Sequence, residues 1–305
     1  MTDKIRVLVT GSSGLLGRAF MRTFAGCADK FNVLGLAFSR YEKYKNQFPL
    51  EHVDINDRVQ LTDIVNRFKP DVIIHSAAER RPDICENDKD RVIQLNVKST
   101  EFINELAMNV GAYLVLISSD YVFDGENAPY KTDAQTNPLS FYGETKRASE
   151  VVCLKNPRNI ILRVPVLYGQ VETLSESAVT VVAEQIKKNA NVEIDNWQLR
   201  YPTLVDDVAK CTLMLICKKK ENGDSISGIY HFTDNQKLTK YEMAVVMAKV
   251  LGIDASQIKP GNSKPSGAPR PYNAQLDTTA TSQLIGVLPS TNFETAITSI
   301  LNNTP

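Results

Sequence analysis

The sequence predicts an α/β fold in which a doubly wound parallel sheet carries a smaller α/β lobe. Residues 7–17 (VLVTGSSGLLG) run from four β-favouring residues through Gly11, Gly14 and Gly17, and apolar residues Leu15, Leu16, Phe20, Met21 and Phe24 then recur at helical spacing. That is a strand, a tight turn and a helix. Short apolar runs and helical patterns then alternate, as βαβ units require. One of those runs, residues 71–76 (DVIIHS), is continuously apolar up to its end, as in strands buried on both faces of a parallel sheet.

A glycine-rich turn feeding a helix lets backbone N–H groups approach a pyrophosphate, where the helix dipole favours the anion. Gly11 can take the positive φ of the turn, Gly14 leaves room for phosphates, and Gly17 allows close packing of helix on sheet. The spacing is G-x-x-G-x-x-G, and as the first strand of a βαβ series it points to a Rossmann-type dinucleotide site. Taken alone, the same glycines also suit a purely structural βα turn.

The composition narrows the partners. With 35 basic and 35 acidic residues among 305, no surface field favours nucleic acid or an anionic membrane. The first strand begins within a few residues of the chain start, and no apolar run approaches the roughly 18 residues of a membrane span. Neither a signal peptide nor a span is expected; the expected location is cytoplasmic, with nuclear access open. Five cysteines without a C-x-x-C pair fit a reducing compartment, and three scattered histidines offer no ligand cluster, so no metal is expected.

Further along, residues 32–38 (NVLGLAF) read as the second strand, at whose end a Rossmann-type site reads the ribose. Ser39 and Arg40 stand there instead of an acid. A hydroxyl and a guanidinium suit a 2′-phosphate, which favours NADP over NAD, although a solvated loop arginine would look the same. Residues 50–55 (LEHVDI) form the third strand and place Asp54 and Ile55 beside the adenine. Helical periodicity over 57–68 stops before Pro70. The fourth strand, 71–76, delivers Ser76, Ala77 and Ala78 to the ligand edge of the sheet, followed by Glu79, Arg80, Arg81 and Pro82. The two arginines can reach phosphate or ribose, or form a surface pair. Residues 92–110 read as one helix, 112–118 as the fifth strand ending near Ser118, Ser119 and Asp120, and 124–138 as a loop. A helix then opens near Tyr142 and runs to about Leu154.

Tyr142 and Lys146, four apart on that helix, share a face. A neighbouring ammonium favours a phenolate and would lower the tyrosine from its ordinary value of about 10. Such a tyrosine can exchange a proton with a carbonyl or alcohol while a nicotinamide exchanges hydride, with Ser119 orienting the same oxygen. Tyr41 and Lys45 repeat the spacing, so context selects the 142/146 pair: it alone follows a serine-ending strand and opens a helix.

Beyond Gly169 the pattern loosens. Residues 175–188, 204–218 and 239–251 read as helices, 228–232 as a short strand, and a last helix begins near Asn292. The expected division is a cofactor-binding domain over 1–168, with 204–232 partly returning to it, and an interleaved smaller lobe over 169–305. Trp197, Arg200 and Arg270 either face a nucleotide-sugar or are a core aromatic and two solvated arginines.

TGSSGLLG, the strand-end serine and Y-x-x-x-K together resemble the extended short-chain dehydrogenase/reductases. SSDYVFDG and PLSFYGETK resemble their dTDP-4-dehydrorhamnose reductase branch. HSAAERRPD, SESAVTV, DNWQLRYPT, TKYEMA and RPYNAQLD are most similar to the regulatory β subunits of methionine adenosyltransferase within that branch. The resemblance implies NADP contacts at Ser13 to Leu16, Phe38 to Arg40, Asp54, Ile55, Ser76, Arg80 and Tyr142, with Leu167 of RVPVLYG against the nicotinamide. Gly11, Gly14, Gly17, Ala77 and Lys146 complete the expected cofactor set; Ser119, Tyr142 and Lys146 are the expected catalytic set.

Two functions follow. The first is an NADP-holding regulator that binds the catalytic subunit making S-adenosylmethionine. The alternative is an NADPH-dependent reductase of dTDP-4-dehydrorhamnose, with a dTDP-sugar as ligand; a scaffold in a sugar-nucleotide pathway has no separate signal. The resemblance also implies that a C-terminal tail docks such subunits. This sequence ends at LNNTP without that aromatic and basic stretch, so docking is expected through another surface or not at all.

Overall fold

The strand β1 (Ile5–Thr10) sends its side chains into two layers: Val7 and Val9 enter one apolar cluster and Leu8 another. Strand side chains alternate between faces, so a strand apolar on both needs cover on both. The computed structural model describes residues 4–304; residues 1–3 and 305 of the expected domain ranges lie outside the described residues.

After β1 come α1 (Leu15–Ala25), β2 (Phe31–Ala37), the short α2 (Tyr41–Tyr44), β3 (Leu50–His52), α3 (Arg58–Phe68) and β4 (Val72–His75). Next are α4 (Pro82–Asn87), α5 (Lys89–Val92), a π-helical turn (Ile93–Lys98), α6 (Ser99–Asn109), β5 (Tyr113–Ser119), α7 (Phe141–Cys153) and β6 (Ile160–Val164). The second half holds β7 (Leu167–Tyr168), α8 (Thr180–Lys188), β8 (Glu193–Asp195), β9 (Thr203–Leu204), α9 (Val205–Asn222) and β10 (Gly228–His231). It ends with α10 (Lys240–Leu251), β11 (Lys259–Gly261), α11 (Thr279–Ile285) and α12 (Phe293–Asn303).

Seven strands form one parallel sheet in the order β10-β6-β5-β4-β1-β2-β3. The order reverses between β1 and β4, and a crevice opens there at the carboxyl ends of the strands. On one face α1 and α9 pack together, joining Phe20, Met21 and Phe24 to Val205, Val208 and Leu215. The other face is covered by Leu61, Ile64, Ile103, Leu106 and Cys153 from α3, α6 and α7. A third cluster, with Tyr168, Val182, Met243, Met247, Phe293 and Ile297, is the core of the second lobe. Leu15 touches the first and third clusters.

Several boundaries depart from the periodicity. The third strand ends at His52, because the Asp54 carboxylate accepts the Asn56 N–H at 2.9 Å and turns the chain toward the Asp57 cap of α3. The helix expected over 175–188 begins only at Thr180. Ser177 Oγ accepts the N–H groups of Val179 (3.2 Å) and Thr180 (2.9 Å), which leaves a 3-10 turn at Leu174–Glu176. The helix expected over 92–110 contains the π turn, and the helix expected over 204–218 continues to Asn222.

The tightest backbone approach is at Gly17. A Cβ there would lie 2.1 Å from Gly11 O and 2.6 Å from Ser12 Cα, both backbone atoms that cannot swing aside. Gly17→Ala is therefore expected to lower unfolding free energy by about 3 kcal/mol, the upper part of the overpacking range. Urea unfolding reads the change; a loss under about 0.5 kcal/mol would mean that α1 is not seated on the turn.

Candidate functional site

The carboxyl ends of β1, β4 and β5 border a cavity of about 480 Å³. Gly11, Ser13, Gly14, Leu15, Leu16 and Gly17 line one side of it, with Phe38, Ser39, Asp54 and Ile55 beyond them. Ser76, Ala77, Arg80, Ser119, Tyr142, Lys146 and Leu167 line the rest, so of the expected cofactor and catalytic sets Arg40 alone is missing from the wall.

Gly11 has φ +66°, and a Cβ on it would come within 2.9 Å of the Ala77 backbone, so a glycine and a small neighbour meet where the turn passes the end of β4. Gly14 N–H closes the turn onto Gly11 O at 2.9 Å and Gly14 is the N-cap of α1, whose first N–H groups have no intrahelical acceptor. A Cβ at Gly14 would meet protein only at Gly11 O, 3.2 Å away, and would otherwise stand in the cavity. These features fit a pyrophosphate cradle. Beneath it, Thr10 Oγ1 bonds the buried His75 ring at 2.7 Å and Ser76 Oγ donates to Thr10 O at 2.7 Å, bracing the two strand ends. Burial pulls His75 down to about 3, so the ring is neutral there.

At the chemical end, α7 is capped by Ser140, whose Oγ accepts the Gly143 N–H at 3.3 Å, and presents Tyr142 and Lys146 to the cavity. Ser119 joins two groups: its hydroxyl donates to Asp120 Oδ1 at 3.0 Å and lies within reach of the Tyr142 phenol. The expected lowering of Tyr142 by Lys146 is not what the geometry produces. Burial, opposed by the Ser119 bond and reinforced by Asp120, pushes the phenol well above its ordinary value. Lys146 Nζ donates instead to Ile117 O at 2.7 Å, and burial pulls its ammonium down to about 8. Desolvation is the leading cause for both groups, and neither is the other's partner.

At the other end, Phe38 is 57% exposed and stacks on His52, their ring centroids 5.7 Å apart, forming an aromatic shelf beside Asp54. Arg40 is turned away. Its Nη1 pairs with Glu176 Oε1 at 2.6 Å, an ion pair that the sequence pattern does not show, so it is not simply a solvated loop arginine. Arg18 holds the same carboxylate through both oxygens, each at 2.9 Å, and its Nη1 also donates to Ser13 O at 3.0 Å. Together the cations pull Glu176 down to about 2 against burial. Arg80 donates to Glu176 O, while Arg81 pairs with Glu79.

The second lobe contributes Arg200, Lys240 and Arg270 to the wall. Arg200 pairs with Asp195 at 2.8 Å and Arg270 with Asp83 at 2.7 Å, so neither is merely solvated. Burial, then Arg200 and Arg270, pulls Lys240 down to about 8. Trp197 is half-buried against Tyr272 and lies outside the wall. Asp120, Glu176 and Lys240 were not singled out by sequence reasoning. The stretches that hold them, SSDYVFDG around Asp120, SESAVTV around Glu176 and TKYEMA around Lys240, carried a signal only through resemblance.

The five cysteines are free. Among the described residues no group of three or more His, Cys, Asp or Glu could hold a metal, and no helix is long and apolar enough to cross a membrane. A larger open hollow of about 950 Å³ at the opposite edge of the sheet, by Lys4, Asp71 and Lys220, contains none of the expected residues.

Asp120 gives a test of the site's electrostatics. Burial pushes its carboxyl from 3.8 up to about 7. Below pH 3.8 it is protonated folded or unfolded; between about 4 and 7 the unfolded chain ionises first, so stability is lost as pH rises through that window. Asp120→Asn should abolish this loss, raising stability at pH 7.5 relative to pH 3.5 by a few kcal/mol against the parent. Parallel pH profiles of the two proteins would contradict the account.

Comparison with known proteins agrees with this geometry. The family model described as the RmlD substrate binding domain matches residues 5–305. Methionine adenosyltransferase 2 subunit beta of Xenopus tropicalis is 42% identical over 295 residues, spanning 96% of this chain and 86% of that protein. A dTDP-4-dehydrorhamnose reductase of Aggregatibacter actinomycetemcomitans is 30% identical over 295 residues, spanning 93% of this chain and 95% of its own. The crystal structure of a dTDP-4-dehydrorhamnose reductase from Bacillus anthracis in complex with NADP has a TM-score of 0.81 at 22% identity, covering 100% of both chains. The chain therefore shares the fold of that reductase along its whole length. The chain belongs to the RmlD substrate binding domain family, within the branch that contains the methionine adenosyltransferase 2 β subunits.

Proposed function

We propose that the chain is an NADP-binding, non-catalytic regulatory subunit of methionine adenosyltransferase that acts in S-adenosylmethionine biosynthesis in the cytoplasm. The observation that carries the reading is identity of 42% along 96% of the chain to a β subunit, against 30% to the reductase. The site's geometry is compatible with both a holder and a catalyst: the Lys146 ammonium donates to Ile117 O, and burial raises the Tyr142 phenol, which leaves it a proton to give.

In this reading Gly11, Gly14 and Gly17 shape the turn, and Ser13, Leu15 and Leu16 receive the pyrophosphate. Phe38, Asp54 and Ile55 take the adenine, and Ser39 and Arg40 the 2′-phosphate. Ser76, Ala77, Arg80, Tyr142 and Lys146 hold the ribose side, and Leu167 walls the nicotinamide. What the dinucleotide supplies is binding energy, which stabilises the folded subunit by about 2.7 kcal/mol at a hundredfold excess over Kd. The reading takes residues 1–168 with 204–232 as the cofactor-binding domain, supported by α9 packing on α1 and β10 pairing with β6.

A second reading, the NADPH-dependent dTDP-4-dehydrorhamnose reductase, is favoured by one arrangement. Ser119, Tyr142 and Lys146 share the cavity with Arg200, Lys240 and Arg270, cations suited to an anionic nucleotide-sugar. Tyr142 would then be the acid and Ser119 would orient the carbonyl.

Size-exclusion chromatography of the protein with the catalytic subunit of its own organism, in NADP, separates the two. The regulator is expected to co-elute with that subunit, equally well as Tyr142→Phe, and to oxidise no NADPH in the presence of dTDP-4-dehydrorhamnose. Turnover that falls by about 10²-fold or more in Tyr142→Phe would establish the reductase instead.

A further inference from the structure

Resting on the reading of the cavity as an NADP site, we propose that Glu176 sets the discrimination between dinucleotides with and without a 2′-phosphate, by serving as the resting partner of Arg40. Binding of a 2′-phosphate transfers Arg40 from Glu176 to the ligand; a dinucleotide lacking that phosphate binds without the transfer.

The ribose end of a Rossmann-type site is usually read by a residue at the end of the second strand, an acid for a free 2′-hydroxyl or a cation for a 2′-phosphate. Here the strand end supplies the cation, and an acid arrives from 136 residues away, on the segment between β7 and α8. The two partners of Glu176 differ in kind. Arg18 is 5% exposed and grips both carboxylate oxygens at 2.9 Å, so it is the permanent partner. Arg40 is 39% exposed and reaches only Oε1 of that carboxylate, through Nη1, which lies more loosely against Glu172 Oε1 at 3.7 Å and Ser13 O at 3.5 Å. When Arg40 leaves, the Glu176 carboxylate keeps its bidentate arginine and the Glu172 N–H at 2.9 Å, so no buried charge is stranded.

A half-exposed ion pair is weak, whereas arginine meets phosphate through two parallel charge-assisted bonds. Among the described residues Arg40 Nε and Nη2 have no acceptor, so a second face of the guanidinium is available to a phosphate. Ser39, the neighbour of Arg40, already lines the cavity, so the side chain needs only to turn from Glu176 toward the wall. The exchange makes Glu176 a brake on phosphate recognition: its charge must be given up by Arg40 before the 2′-phosphate is bound.

The test is the ratio of NAD to NADP dissociation constants, measured by titration calorimetry on the full chain. Glu176→Gln keeps the shape and removes the competing charge, so the ratio should rise about fivefold or more in favour of NADP, with NAD affinity within about twofold of the parent. Arg40→Met should bring the ratio close to one. If Glu176→Gln fails to fold because Arg18 is left unpaired, Arg18→Met with Glu176→Gln removes the buried pair whole and should raise the ratio in the same way. A ratio unchanged or lowered in the folded Glu176 variants, with NADP still bound, would overturn the exchange alone. Failure of the parent protein to bind either dinucleotide would overturn the cofactor reading and the exchange with it.

Discussion

Everything in this molecule that bears on function depends on one contact, the approach of Gly17 on α1 to the carbonyl of Gly11, so close that a methyl group would lie 2.1 Å from the oxygen. The approach seats the N-terminus of α1 over the end of β1 and leaves its first N–H groups pointing where a phosphate would lie. It also fixes the residue after it. Arg18 is carried to Ser13 O and to the carboxylate of Glu176, so the turn is tied to a segment of the second lobe by a buried ion pair.

Buried charge is arranged in two ways around the cavity. Glu150 and Arg163, 0% and 1% exposed, pair at 2.8 Å, with Ser118 Oγ donating to the same carboxylate at 2.6 Å; this joins α7 to β5 and β6. Arg18 and Glu176 do the same on the other side. Removing one partner of such a pair is costly, while the intact pair adds little net stability, so these pairs are best understood as fixing geometry. Asp120 and Lys240 differ: burial shifts both strongly, and both line the cavity. Perturbed groups gathered in a cleft are the expected mark of a binding site.

The sequence made the scaffold legible because its signals are local. The glycine turn, the apolar runs of β1 and β4, the Asp57 cap of α3 and the serine-ending β5 each sit within a few residues of their consequence. The walls of the cavity were legible for the same reason, since the fold brings strand ends together by rule. What remained hidden was non-local or collective. The partnership of Arg40 with Glu176 spans 136 residues, and no periodicity reports it. The protonation of Tyr142 depends on how completely the helix and its neighbours exclude water, which spacing cannot convey. The π turn follows the same logic: it carries Asn96, whose side chain bonds Glu79 N–H at 2.8 Å and Thr145 Oγ1 at 3.1 Å, a tertiary demand that overrides helical pattern.

The central claim is that the glycine turn and the cavity it opens form a dinucleotide site. A crystal structure of the protein grown with NADP tests it most directly. The account predicts the pyrophosphate against the N–H groups of residues 13–16, the adenine on Phe38 and the nicotinamide between Leu167 and Tyr142. A dinucleotide bound in the hollow at the opposite edge of the sheet, or none bound at millimolar NADP, would contradict it.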